Sequence, residues 1–442
     1  PLDLERLTYD DANVFQLFQR ADTTGVFQFE SGGMRRLLLD MKPDRLEDLI
    51  AANALFRPGP MDLIPDYNRR KHGTDSVPKV HPIVDRHTAG TYGVMVYQEQ
   101  VMQIASELGG IPLRQAYTLI KAISKKKAKI IDENRPRFIE GAVGNGLAKA
   151  EAEELFDLIL KFAGYGFNKS HSTAYAIVAY QTAYLKTYFP NQYMAAFLSF
   201  ESQAQKVADW LPYLEDCRKA RFIDPTSGQM IQEGVEVRPP DVNLSDADFT
   251  VVHEETEDRR SYTGHVRFGL KAIKGAGAKA IEAIIEERER PADTGGDGPR
   301  RPYKSLHDFC ERIPTGVINK ATVEALVKAG CFDSVHGRAD RAAMIATIPD
   351  AMHAGQKVAR DRLMGQSRLF ALGLDGDESA SNADAPLNRV DPWPESQTLS
   401  NEKEALGFYV SSHPLEEWNA WASVFANASC ANLKGMRQDA RV

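Results

Sequence analysis

Apolar residues recur at the helical spacing of three and four positions through most of the first 200 residues. This periodicity predicts amphipathic helices, each of which must bury one face against a neighbour. Turn signals such as Arg57-Pro58-Gly59-Pro60 separate them. We therefore expect one helix-rich unit in this half of the chain. The predicted helices span 44–55, 97–107, 113–124, 149–162 and 172–188, with one more over 199–220.

The second half mixes short strands with helices. Residues 248–253 and 262–269 alternate and hold β-branched or aromatic residues, which predicts a small β-hairpin. The sequence then predicts a turn and helix over 271–288, a helical pair over 305–335 and a longer helix over 338–364.

The 442 residues of the chain are too many for one ordinary core, so we expect several domains. Residues 372–390 are small and polar, which is typical of a flexible linker. The predicted fold class is mainly α and multidomain. The predicted domains are 1–235, 236–371, the linker 372–390 and a last segment 391–442.

Composition excludes several classes of protein. No run of about 18 apolar residues exists, so we expect no membrane contact. A signal peptide is not visible, which predicts a cytoplasmic location, and the missing initiator Met suggests part of a longer protein. None of the four cysteines lies in a CxxC pair, so reduced thiols are expected and a zinc site is not. These residues are Cys217, Cys310, Cys331 and Cys430.

One segment departs from the net charge of −7. Residues 113–130 carry six basic residues and no acid: Arg114, Lys121, Lys125, Lys126, Lys127 and Lys129. On a helical wheel most of these cations lie opposite the apolar residues, but Lys127 falls on the apolar side, so the helix should end or bend near Ser124. A solvated face usually mixes charges to gain i,i+4 pairs, whereas a surface for polyphosphate does not. Both interpretations remain open from the residues alone.

A second segment, 163–175, places glycines on both sides of Tyr165. The backbone can turn tightly there, and Ser170 or Ser172 can cap the helix that follows. Lys169 and His171 would then lie at a helix N-terminus, an arrangement suited to phosphate oxygens. A histidine that only caps or packs is the alternative.

Five motifs occur together in one order. They are Phe27-Gln28-Phe29-Glu30-Ser31, the stretch from Ala54 to Met61, the stretch from Tyr92 to Met102, Lys125-Lys126-Lys127, and the stretch from Ala163 to Tyr175. In sequence and spacing they resemble the bacterial DNA polymerase III alpha subunit family, from its fingers domain onward. The replicative branch of the family fits the turn at 168–171 better than the error-prone branch, which ranks second.

The resemblance implies that fingers residues hold the triphosphate of an incoming deoxynucleotide. The positions carried over are Lys121, Lys125, Lys126, Tyr165, Asn168, Lys169 and His171. Ile120-Lys121 stands where the family often has two adjacent arginines. Because lysine cannot form the bidentate fork of arginine, the contacts to the phosphates are left open.

Residues 267–288 resemble a helix-hairpin-helix element, and 319–332 its second member, with Gly330 as a helix stop. The resemblance implies a contact to a DNA phosphate without sequence readout. A plain helix-capping turn is the alternative. The expected contact residues are Lys274, Gly275, Gly277 and Lys279.

Gln366-Ser367-Arg368-Leu369-Phe370 resembles a pentapeptide that binds the sliding clamp. Leu369 and Phe370 would fill an apolar cleft while Gln366 anchors the peptide by hydrogen bonds. Residues 402–414 resemble the segment that leads into the OB domain of the family, and the chain is expected to end before that domain is complete.

The family binds Mg²⁺ through palm aspartates, which the resemblance places upstream of this chain. Asp246 and Asp248 form an Asp-x-Asp, as do Asp375 and Asp377, but a polar turn and a linker explain them better. We assign no catalytic residue and no metal ligand, and expect the isolated chain to be inactive.

Two hypotheses follow. The first is that the chain is part of a DNA-directed DNA polymerase, with primer-template DNA, deoxynucleoside triphosphates, the sliding clamp and other replicase subunits as partners. The second is that the chain is a non-catalytic module that binds DNA and the clamp.

Overall fold

A computed structural model describes residues 2–163, 166–204, 207–224, 226–253, 263–291, 301–314, 316–363 and 385–426. The described residues are mainly helical with small sheets, which confirms the predicted mainly α, multidomain fold. Two compact units form, one of Pro1–Phe189 with Arg221–Gln232 and one of Pro190–Ala220 with Glu233–Val442. The four domain ranges drawn from the sequence stay a prediction.

The first unit contains ten helices and two short strands among its described residues. The helices are α1 Ala12–Gln19, α2 Gly32–Met41, α3 Leu46–Leu55, α4 Ile64–Lys71, α5 Pro82–Thr88, α6 Gln98–Glu107, α7 Leu113–Ser124, α8 Ala128–Gly144, α9 Lys149–Ala163 and α10 Lys169–Tyr188. The strands β1 Arg221–Ile223 and β2 Met230–Glu233 pair with each other.

Two apolar clusters hold this unit together. In the first, α1, α2, α3 and α10 bury side chains such as Phe18, Leu38 and Ala179. In the second, α6 to α9 surround Phe138 and Phe156, whose ring centroids lie 5.3 Å apart. These two clusters hold the ends of α6, α7 and α10 in place, and with them the loops at those ends.

Helix α7 spans the predicted residues, and it ends at Ser124 as its wheel requires. Helix α8 was not predicted, because Pro136 inside it interrupts the local signal. The sheet of β1 and β2 was also missed, since its strands are only three and four residues long.

The second unit adds helices around a three-stranded sheet. The helices are α11 Pro190–Ala204, α12 Val207–Cys217, α13 Ala278–Glu289, α14 Leu306–Arg312, α15 Lys320–Ala329, α16 Asp333–His336, α17 Arg341–Leu363, α18 Glu395–Leu406 and α19 Asn419–Phe425. The strands are β3 Val237–Arg238, β4 Thr250–Val252 and β5 His265–Arg267, in the order β3-β5-β4.

The predicted hairpin is confirmed, with β4 antiparallel to β5 and Val251 opposite Val266. Strand β3 lies parallel to β5 on its other side, and it was not predicted from the sequence. The single helix predicted over 199–220 was wrong, because α11 and α12 divide that region.

Side chains on α18 tie it to the rest of this unit. Glu402 is fully buried, and its Oε1 lies 3.8 Å from the guanidinium of Arg341. Its Oε2 accepts hydrogen bonds from the N–H groups of Val410 and Ser411, both at 3.2 Å. The backbone N–H of Lys274 donates to the carbonyl of Ala405 at 2.9 Å. The segment that resembles a lead-in to an OB domain therefore begins inside the second unit.

Residues 385–390, the described end of the predicted linker, lie against α17. The Asn388 N–H donates to Thr347 Oγ1 at 2.8 Å, and its Nδ2 donates to Asp350 Oδ2 at 2.9 Å. Residues 372–384 lie outside the described part of the chain. Within the described residues, no helix is long and apolar enough to cross a membrane.

Candidate phosphate-binding and nucleic-acid interface

The start of α10 is capped by Asn168. Its side-chain Oδ1 accepts the N–H of His171 at 2.8 Å. The predicted caps were wrong: Ser172 is buried and donates its hydroxyl to the carbonyl of Ile50 at 2.6 Å, and α10 begins before Ser170. Asn is as good a cap as Ser, so local sequence could not choose between neighbouring candidates.

A carboxylate occupies the N-terminus of α10. Glu99 lies in the first turn of α6 and accepts the backbone N–H of Lys169 through both oxygens, at 3.0 and 3.1 Å. The Asn168 side-chain amide also donates to it, at 2.9 Å. The helix start thus binds an anion in this structure, as expected of its N–H groups and dipole. The sequence did not reveal Glu99, because its partner lies 70 positions away.

Short backbone contacts hold the turn before α10 against the start of α6. Phe167 donates its N–H to the carbonyl of Val96 at 3.3 Å, and Gln98 donates to the carbonyl of Phe167 at 2.9 Å. The Gln98 side chain also donates to the carbonyl of Gly166 at 2.8 Å. A Cβ on Gly166 would lie 3.1 Å from the ring of Phe162, so glycine permits close packing there. Tyr165 lies outside the described residues.

A row of rings and a cation lies at this turn. The guanidinium carbon of Arg57 lies 4.0 Å from the ring centroid of Phe167. The centroids of Phe167 and His171 are 5.4 Å apart, and those of His171 and Tyr175 are 4.3 Å apart. Lys169 and His171 are both exposed, whereas Phe167 and Tyr175 are half-buried.

The basic helix presents a second cationic surface. Ile120 is buried with the apolar face of α7, whereas Lys121 is exposed and lies 4.3 Å from the ring centroid of Tyr117. Lys126 ends the helix in the left-handed conformation, with φ +52°, and donates its N–H to the carbonyl of Ile123. Because Ile120 points inward, the chain exposes one cation at the two positions where the family often has adjacent arginines.

The structure groups Asn168, Lys169 and His171 at one helix start. Lys121, Lys125 and Lys126 lie at the end of α7 instead. No hydrogen bond, ion pair or ring contact joins the two sets in the described part of the chain. The nucleotide-binding role of each residue stays a prediction.

The glycine-rich turn before α13 has the expected hairpin shape. Gly275 adopts φ +88°, which L side chains rarely adopt, and Gly277 caps α13 without a side-chain bond. Within the described residues, the backbone N–H groups of Gly277, Ala278 and Lys279 have no hydrogen-bond partner. The side chains of Lys274 and Lys279 are exposed beside them. This geometry leaves donors available to an anion.

In the second turn of the helix-hairpin-helix element, a side chain caps the helix that follows. Asn319 Oδ1 accepts the N–H of Thr322 at 2.9 Å, and Gly330 ends α15 with φ +88°. The Thr322 hydroxyl donates to the carbonyl of Gly275 at 3.5 Å, which links the two turns.

The Asp-x-Asp pair at 246 and 248 is held by partners of its own. Asp246 accepts from Arg288 at 3.2 Å, and Asp248 pairs with Lys271 at 3.6 Å and accepts from Gln203 at 2.8 Å. Asp375 and Asp377 lie outside the described residues, as do Gln366, Leu369 and Phe370. No group of three potential metal ligands occurs among the residues that the structure describes.

Two family models match this chain. Residues 1–146 match the bacterial DNA polymerase III alpha subunit finger domain, and residues 234–344 match the helix-hairpin-helix motif. The DNA polymerase III subunit alpha of Thermus aquaticus is 42% identical over 439 residues, which are 97% of this chain and 32% of that protein.

The chain belongs to the family of the bacterial DNA polymerase III alpha subunit.

Other relatives agree. The DNA polymerase III subunits alpha of Xylella fastidiosa strain Temecula1 and Pseudomonas aeruginosa are 39% and 38% identical, over 95% and 99% of this chain. The chain covers 32% and 36% of their lengths. It thus spans about a third of the curated relatives it matches. The resemblance drawn from the five motifs is confirmed, and so is the helix-hairpin-helix element.

Proposed function

We propose that this chain supplies the surfaces for incoming nucleotide and duplex DNA in a DNA-templated DNA polymerase. The observation that carries the proposal is the start of α10 in the first compact unit, where Lys169 and His171 lie together at a helix N-terminus that already holds a carboxylate. Both side chains are exposed and can reach a ligand. Helix starts of this kind bind phosphate oxygens.

The chemistry asked of this site is charge neutralisation. Phosphoryl transfer concentrates negative charge on the phosphate oxygens, and fixed cations and N–H dipoles stabilise that charge. Lys169 and His171 would meet the triphosphate, and Glu99 would hold the helix start in place. Lys121, Lys125 and Lys126 would add a second cationic surface, and Tyr165 would pack against the sugar or base.

The first hairpin turn is the proposed contact to duplex DNA. Unpaired backbone N–H groups at the start of α13 can donate to a phosphate, and Lys274 and Lys279 add charge. Contacts of this type position a duplex without reading its sequence. Primer-template DNA is therefore the proposed partner of the second unit.

Mg²⁺ is the metal that the family implies. Two-metal catalysis needs carboxylates that share the ions. The described carboxylates do not fit this need, because Asp246 and Asp248 already pair with Arg288 and Lys271.

Clamp binding through Gln366, Leu369 and Phe370 is proposed from the pentapeptide alone. Other replicase subunits and a replicative rather than error-prone role are proposed from the family. The alternative function is a non-catalytic module that binds DNA and the clamp.

The nucleotide site is tested by titrating the chain, with primer-template and Mg²⁺, with a fluorescent deoxynucleoside triphosphate. We expect Lys169→Ala and His171→Ala each to weaken binding by about 10-fold to 100-fold, since a hydrogen bond to a charged group contributes about 1.5–3 kcal/mol. Lys149→Ala is the control, because Lys149 is an exposed lysine at the far end of α9. If all three variants bound the nucleotide with equal affinity, the proposed nucleotide site would be ruled out.

A further inference from the structure

A cavity of about 370 Å³ lies in the first compact unit. Val94, Met95 and Phe162 form apolar lining, and each of these side chains is at most 7% exposed. Leu63 and Leu158 complete the apolar part. Small-molecule sites usually have volumes of about 300–1,000 Å³ and mostly apolar walls with a few polar groups. The cavity falls in this range.

Four charged side chains line the same cavity: Asp62, Asp66, Arg70 and Lys161. Arg69 and Arg70 both pair with the carboxylate of Asp66, Arg70 at the long distance of 3.9 Å. The other contact of the Arg70 guanidinium is a 3.4 Å hydrogen bond to the Tyr92 carbonyl, so several of its N–H groups remain for a ligand.

Lys161 decides the charge of the expected ligand. It is exposed and forms no ion pair or hydrogen bond in the described part of the chain. Lys161 thus offers spare donors, and so does Arg70, which only approaches Asp66 at 3.9 Å. Asp66 already pairs with Arg69, whose guanidinium also pairs with Asp75 at 2.6 Å, and Asp62 is the one remaining acid of the lining. The spare donors favour an anionic group next to an apolar body.

The cavity shares its walls with the turn before α10. Phe162 accepts the N–H of Gly166 through its carbonyl at 2.9 Å, and its ring packs beneath Gly166. Val94 and Met95 directly precede Val96 in the chain, and the Val96 carbonyl accepts the N–H of Phe167. A molecule in the cavity would therefore touch the residues that hold the turn.

We propose that this cavity binds a small amphipathic molecule with a flat apolar body and one anionic group, and that binding steadies the turn at Gly166 and Phe167. None of the residues proposed to contact nucleotide or DNA lines the cavity. The site is therefore additional to the proposed polymerase function and does not depend on it.

The test is a fluorescence titration of the purified chain with anilinonaphthalene sulfonate, whose aromatic body and sulfonate match the proposed ligand. We expect saturable binding of one equivalent. Lys161→Glu should weaken it about tenfold, which corresponds to roughly 1.4 kcal/mol of charge-assisted hydrogen bonding. Lys149→Glu changes the charge of the same helix by the same amount at its other end and should leave the affinity unchanged.

Two further measurements separate this cavity from other apolar surfaces. Leu158→Trp should fill the cavity and abolish binding, and it is expected to fold because Leu158 is 51% exposed. Hydrogen exchange of the Gly166 and Phe167 amides should slow when the probe is bound. Binding that fails to saturate, that ignores both Lys161→Glu and Leu158→Trp, or that leaves these two amides unchanged would overturn the proposal.

Discussion

Glu402 is predicted to be a principal stabilising residue of the second unit. It is fully buried, and Arg341 beside it is 1% exposed. Burial opposes the charge of Arg341, but the hydrogen bond with Asp333 and the nearby Glu402 charge outweigh it and raise the pKa of the guanidinium. Glu402→Ala would remove one of the two counter-charges near Arg341 and the acceptor of the Val410 and Ser411 N–H groups. Breaking a buried ion pair from one side costs about 3–5 kcal/mol.

Hydrogen exchange gives this cost for the second unit alone, which a global unfolding curve of a two-unit chain would not. Amides of α15 that exchange through unfolding of the unit should exchange about 150-fold to 5,000-fold faster in Glu402→Ala. Glu402→Gln keeps an acceptor and the volume, so its effect should be smaller.

Glu404→Ala is the matched control on the same helix. Glu404 pairs with Lys328 at 3.0 Å, but its side chain is 66% exposed, and exposed pairs contribute at most about 1 kcal/mol. If α15 exchanged equally fast in Glu402→Ala and Glu404→Ala, the argument for a buried anchor would be wrong.

Three smaller predictions follow. Gly275→Ala should destabilise the second unit by roughly 1–2 kcal/mol in thermal unfolding because its φ is +88°, whereas Gly277→Ala, with φ −72° and open space around it, should be neutral. Burial lowers the pKa of His336, whose ring accepts a backbone N–H at 2.9 Å. The unit should therefore lose stability as pH falls below about 6.5, because the unfolded state takes up the proton first. A melting temperature that does not change between neutral and mildly acidic pH would contradict this. A Leu369→Ala, Phe370→Ala double variant should abolish binding to the sliding clamp in a pull-down, and undiminished binding would rule out the pentapeptide.

Local periodicity predicted those elements whose signal is contained in their own residues. The end of α7 at Ser124 followed from the wheel, because Lys127 would otherwise enter the apolar cluster. The hairpin of β4 and β5 followed from alternation. Strand β3 could not be predicted, since two residues carry no pattern and their partner lies about 30 positions away.

The site was predicted in part for the same reason. Lys169 and His171 were found because they flank a glycine turn and a helix start. Glu99 and Arg57 were not, because their roles arise from contacts with Asn168, Lys169 and Phe167 far along the chain. Glu402 was likewise not predicted to be a buried stabilising residue, because the sequence around it is typical of a polar, exposed helix.

DNA binding by the chain, measured by fluorescence anisotropy over a range of salt concentrations, is the decisive test of the proposed DNA contact, because the net charge of −7 by itself argues against binding. We expect binding to a primer-template duplex that weakens steeply with salt. Lys274→Ala with Lys279→Ala should reduce the slope of log K against log salt by about 2, since each phosphate that a lysine neutralises adds about 0.9 to the slope. Lys304→Ala with Lys357→Ala removes two other exposed lysines of this unit and should leave the slope unchanged. No binding at low salt, or equal slopes for both double variants, would contradict the account.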